Sequence, residues 1–108
     1  MATVRLESEK IIDWATFHST CKEVMGFPDF YGNNMNAWID CLTYLDEGDG
    51  MSKFELAENE ILQIEITNTE QFKSNNSEIF DALIECSAFV NRRNVDAGDT
   101  PKLVLIFL

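Results

Sequence analysis

The final stretch, Leu103-Val104-Leu105-Ile106-Phe107-Leu108, is apolar at every position and follows Pro101. A strand with one wet face alternates apolar and polar residues; an unbroken apolar run is expected where both faces are covered. The run therefore predicts a central strand in a parallel sheet, with helices on either side. Two other segments supply partner strands. Thr3-Val4-Arg5-Leu6 places Val4 and Leu6 on one face, and in Ile61–Ile66 the apolar Ile64 and Ile66 alternate with Gln63 and Glu65.

Helical patterns fill the intervals. Trp14, Phe17, Cys21, Val24 and Met25 recur at spacings of three and four, with Asp13 placed to cap the start and Gly26 to end the helix. Asn34–Leu45 forms a second helix. Thr67 and Glu70 fit a capping box opening a short third one. After a break at Ser74–Ser77, with Asn76 or Ser77 as cap, a fourth helix runs to Arg92-Arg93-Asn94. Its expected inner face is Ile79, Phe80, Leu83, Cys86, Phe89 and Val90, and its arginines oppose the negative end of the helix dipole. The order β-α-α-β-α-α-β predicts an α/β fold: a small three-stranded parallel sheet packed by about four helices, as one domain over 1–108. Lys53, Phe54, Glu55 and Leu56 alternate within Met51–Glu60, which leaves room for an extra edge strand or hairpin arm. Asp46–Gly50 reads as a turn, and its glycines break the EF-hand ligand pattern.

Nineteen acidic against eight basic residues give a net charge of −11. Such a field repels nucleic acid and anionic membranes and attracts a basic partner. The N-terminal run has no apolar signal core, and no apolar stretch approaches the roughly 20 residues of a membrane span, so a cytoplasmic protein is expected. Cys21, Cys41 and Cys86 are odd in number and show no metal-ligand spacing, which predicts free thiols. No metal site or cofactor is expected. His18, the single histidine, lies beside the apolar stripe of its helix and reads as a surface or boundary residue. With no necessary partner for it, no phosphate-binding glycine loop and no nucleophile elbow, the residues point away from an enzyme.

The stretch with most to say about function is Phe30-Tyr31-Gly32-Asn33-Asn34-Met35-Asn36-Ala37-Trp38-Ile39-Asp40-Cys41-Leu42-Thr43-Tyr44-Leu45. Gly32 frees the backbone before the helix, and Asn33 or Asn34 can cap it. At about 100° per residue, Met35, Trp38, Ile39, Leu42 and Leu45 share a core-facing side. Asn33, Asn36, Asp40 and Tyr44 share another, with Ala37 beside them. Asp40 is the one formal charge of this helix, with no Lys or Arg three or four residues away. Left to periodicity, such a carboxylate is an ordinary solvated residue. In the preceding loop, Phe27 is expected to be buried, while Phe30 and Tyr31 could divide between core and surface.

This run resembles the signature segment of the barstar family, intracellular inhibitors of the secreted ribonuclease barnase. The shared positions are Tyr31, Gly32, Asn34, Ala37, Asp40, Cys41, Leu42 and Thr43, with Phe30 standing for another aromatic. The resemblance implies a three-stranded parallel sheet with the last strand central. It also implies that the helix and its preceding loop plug a ribonuclease active site, with Asp40 in the place of a substrate phosphate. Asn33, Asn36, Phe30, Tyr31, Ala37 and Tyr44 would surround it at the interface. Glu85, aligned through Ile79–Glu85, would be a second partner-facing acid or else a solvated helix residue. Barstars carry acids at the positions of Asn33 and Asn36, Leu at that of Trp38 and Trp at that of Ile39. These departures imply a basic nuclease toxin other than barnase, with this chain as a monomeric immunity protein. An acidic interaction domain, or immunity against a toxin that is not a nuclease, are the alternatives. The phosphate-mimic role requires Asp40 to face outward, free of any arginine of its own chain.

Overall fold

The computed structural model describes residues 2–45, 52, 56 and 60–108. Strand β1 (Ala2–Leu6) leads through a 3-10 turn (Ser8–Lys10) to α1 (Trp14–Met25) and α2 (Met35–Thr43). Then come β2 (Leu62–Ile66), α3 (Thr69–Asn75), α4 (Ser77–Asp96) and β3 (Leu103–Phe107). The three strands pair in parallel in the order β1-β2-β3.

That order corrects the expectation for the last strand: among the described residues, β2 is central and β3 is an edge. Ile64 stands between Val4 and Leu105, and Ile66 between Leu6 and Phe107. This inner side carries the fully buried Leu6, Leu62, Ile64 and Ile66. Among the described residues, no helix covers the other side along its length. Thr3 bonds Gln63, Arg5 pairs with Glu65, and Val104 is 39% exposed. Two crossovers of the same hand, stepping in the same direction, place their helices on one side of the sheet. An apolar run thus marks β3 without telling whether both its faces are dry.

The caps divide into those the local sequence foretold and those tertiary contacts replaced. Asp13 caps α1 by accepting from Thr16 N at 2.8 Å, and its own N–H donates to Thr16 Oγ1 at 3.0 Å. Gly26, at φ +67°, closes the same helix in the left-handed conformation that glycine tolerates best. The capping box expected for α3 is not made. Asn68 takes the N-cap position at φ +45° without a side-chain bond to the helix, while Thr67 donates to Glu9 Oε1 and accepts from Ser8 N. The break before α4 shrinks to Asn76, whose amide donates to Ile11 O instead of capping the helix.

Helix α4 is also rotated from the expected setting. Ile79, Phe80, Leu83 and Val90 are buried, but Cys86 is half-buried and Phe89 is 49% exposed. Ser87 and Asn94 take the inner positions, continuing the stripe Leu83, Ser87, Val90, Asn94. Phe89 stands about 100° away from Val90. Asn91 anchors α4 to β3: its amide oxygen accepts from Lys102 N and Leu103 N, and its nitrogen donates to Leu103 O. The three cysteines are free thiols, and burial pushes Cys21 up to about 12. The turn expected at Asp46–Gly50 and the strand suggested for Lys53–Leu56 lie outside the described residues, Leu56 excepted. Leu56 is buried and donates its N–H to Leu45 O at 2.8 Å. Among the described residues, no helix is long and apolar enough to cross a membrane.

Candidate functional site

The loop between α1 and α2 is held from beneath by rings. Tyr31 is 5% exposed and His18 4%, and the phenol oxygen lies 2.6 Å from His18 Nδ1. The His18 ring stacks on Trp14 and meets Phe17 edge-on, while Phe27 packs against Tyr31. Two expectations are corrected here. Tyr31 does not present its ring to a partner, and His18 is not at the surface. Each polar atom satisfies the other, which removes the main cost of burying both. Burial lowers the pKa of His18 below its ordinary 6.5 and raises that of Tyr31.

Local chemistry sets the entry into α2. Asn34 is the N-cap: its side-chain oxygen accepts from Ala37 N at 2.8 Å and its nitrogen donates to Gly32 O at 3.1 Å. A Cβ at Gly32 would sit 3.0 Å from that nitrogen, so glycine permits the close approach. Asn33 occupies the left-handed region at φ +53°, which asparagine tolerates better than most residues. Phe30, one position before the buried Tyr31, is 76% exposed.

Along α2, Trp38 and Leu42 are fully buried and Cys41 nearly so; Met35, Ala37 and Ile39 are half-buried. Asn36, Asp40 and Tyr44 are exposed, continuing the side begun by Asn33. The expected polar stripe is therefore present, with Phe30 near its start and the Asp40 carboxylate as its charge.

Asp40 is not unpaired. Arg93 Nη1 of α4 donates to Asp40 Oδ1 at 2.9 Å, across a sequence separation of 53. This overturns the picture of a lone carboxylate free of its own chain's arginines. Helix α2 packs on α4, and that contact carries the base into place. The side chains of Arg93 and Asp40 remain 40% and 56% exposed. Phe89 completes the group, its ring centroid 5.1 Å from the Arg93 guanidinium carbon. Neither Phe89 nor Arg93 was expected at this site. Local spacing assigned one to the core and the other to the helix dipole, and only helix packing joins them to α2. Glu85 is exposed on the same helix, but lies two turns before Arg93, about 12 Å along the axis.

A shallow groove of about 270 Å³ beside the start of α2 is lined by Trp14, His18, Asn33, Asn34 and Met35. A larger cleft of about 380 Å³, between Ser8–Ile12 and Asn68–Asn76, includes no residue of α2. Among the described residues, no cluster of His, Cys, Asp and Glu is arranged to hold a metal ion.

The family described as Barstar (barnase inhibitor) matches residues 1–106. The chain belongs to the barstar family. The match takes in both helix pairs and nearly all of the last strand, well beyond the local resemblance at Phe30–Leu45. The parallel three-stranded sheet with four helices agrees with it. No curated protein matches the chain.

Proposed function

We propose that this barstar-family protein inhibits a basic ribonuclease, serving inside the producing cell as immunity against a cognate nuclease toxin. Helix α2 and the loop before it would enter the active site. The observation that carries this reading is the exposed side of Asn33, Asn36, Asp40 and Tyr44, with the Phe30 ring at 76% exposure near its start. A ribonuclease site is built to stabilise phosphate charge, so a carboxylate held on a helix can compete for the same cations. A loop anchored by Tyr31 and capped by Asn34 lowers the ordering cost of binding. The net charge of −11 favours encounter with a basic partner.

The Asp40–Arg93 pair favours the alternative, an acidic interaction domain binding away from any active site, because it partly neutralises the proposed mimic. The requirement that Asp40 be free of its own chain's arginines is thus not met, and the reading rests on exchange instead: an exposed pair of this kind contributes only about 0–1 kcal/mol, which a well-placed cation of a nuclease can replace. The test begins by asking whether a neighbouring gene encodes a small basic protein; that neighbour is then co-expressed with this chain and its ribonuclease activity assayed. The neighbour alone should be lethal, the pair tolerated, and the ribonuclease inhibited by the purified protein. Asp40→Ala should weaken protection more than loss of any other surface acid. Tight binding without inhibition would establish the interaction domain instead. Full protection by a folded Asp40→Ala would remove Asp40 from the mechanism.

A further inference from the structure

We propose that Arg93 is a self-cap on Asp40. In the free protein its guanidinium holds the place that a partner's cation takes in the complex, so binding is an exchange of one cation for another. The inference rests on the inhibitor reading above and adds the device that decides which partners α2 accepts.

Three features of the geometry carry it. The contact is a direct charged hydrogen bond of 2.9 Å, on the same carboxylate that the partner would need. Both side chains are substantially exposed, so the bond can open without disturbing the core. Arg93 also has somewhere to go. Its guanidinium carbon already lies 5.1 Å from the centroid of the Phe89 ring, which is 49% exposed. There, in the last turn of α4, the helix carbonyls favour a cation as well.

The exchange has a direct consequence for selectivity. An interface removes water and strengthens whichever ion pair it encloses. A partner bringing a cation of its own to Asp40 gains that pair and releases Arg93 to Phe89. A partner without one must enclose the existing pair, whose desolvation is costly, or leave a gap. Arg93 thus disfavours neutral and acidic surfaces that would otherwise fit the Phe30–Tyr44 region.

The experiment uses barnase, the nuclease in the family's description, as probe. Inhibition is measured for the parent, Arg93→Gln, Arg92→Gln and the double variant Asp40→Asn/Arg93→Gln. Arg92 pairs with Asp96 at 3.9 Å and not with Asp40, so its variant makes the same charge change without touching the cap. Arg93→Gln should inhibit about two- to fivefold better than Arg92→Gln, the factor expected from removing one exposed ion pair. The double variant should lose that gain. Equal or weaker inhibition by Arg93→Gln overturns the self-cap.

A second measurement needs no nuclease. In the free protein, the Arg93 side-chain NMR signals should show a guanidinium whose rotation speeds up on Asp40→Asn. Unchanged signals overturn the self-cap whatever the inhibition data show. If the NMR coupling is present but no variant, Arg93→Gln included, inhibits barnase, Arg93 is not what selects against this nuclease and the self-cap is overturned as a selectivity device; the inhibitor reading, whose target is a nuclease other than barnase, is decided separately by the co-expression assay. If inhibition is intact and only the Arg93 comparison fails, the inhibitor reading stands alone.

Discussion

The two ends of the candidate interface are secured by opposite means. At the loop end, Tyr31 and His18 share a hydrogen bond in a site almost closed to water, walled by Trp14, Phe17 and Phe27. At the α2–α4 end, Asp40 and Arg93 share a bond of similar length that stays wet. Breaking the first leaves a buried polar atom without its partner. Breaking the second returns two charges to water. The contrast separates a support, which keeps Phe30 and Asn33 in place, from a contact light enough to be traded during binding.

The largest effect tests the ground on which both ends stand. Trp38 is fully buried on the inner side of α2, so Trp38→Ala should destabilise the fold by about 3–5 kcal/mol, read by chemical denaturation. A small loss would mean that α2 is not seated on the core, and the contrast between its two sides would collapse. Next comes Tyr31→Phe, which deletes one oxygen and leaves His18 Nδ1 buried without it. A loss of about 1–3 kcal/mol is expected. A cost no greater than that of Asp40→Asn would erase the distinction between the two ends.

Acidity sharpens the same comparison. Burial lowers the folded-state pKa of His18 below the 6.5 of the unfolded chain. The unfolded chain therefore binds the extra proton first, and stability present above pH 6.5 declines as the pH falls below it. The slope is at most about 1.4 kcal/mol per pH unit, and His18→Gln should flatten it. Glu9 and Asp13, whose pKa values are lowered by their hydrogen bonds, affect stability only in the more acidic carboxylate range. Smallest of all, Asp40→Asn should change stability by less than about 1 kcal/mol while weakening inhibition clearly. A larger stability loss would make the pair a structural element and not an exchangeable one.

Much of this organisation can be read locally. Asp13, Gly26 and Asn34 act within a few residues of themselves, so their capping roles follow from the chain near them. The stripe Asn36, Asp40 and Tyr44 follows from helical geometry, as do the inward Trp38 and Leu42. What could not be read were matters settled by distant partners. Thr67 leaves its expected cap because Ser8 and Glu9 arrive from the far side of α1 and α2 in the chain. Tyr31 sinks into the core because His18 offers its polar atom a bond.

The sequence by itself determined the strands, the helices and the neutral polar side of α2, because periodicity and capping are short-range properties. Only the tertiary structure decided that β3 lies at the sheet edge, since apolar content does not specify strand order. It also decided that Phe89 faces outward and that Asp40 meets Arg93. Those outcomes depend on how α4 is rotated against α2 and β3, a choice made by the joint packing of three separate segments.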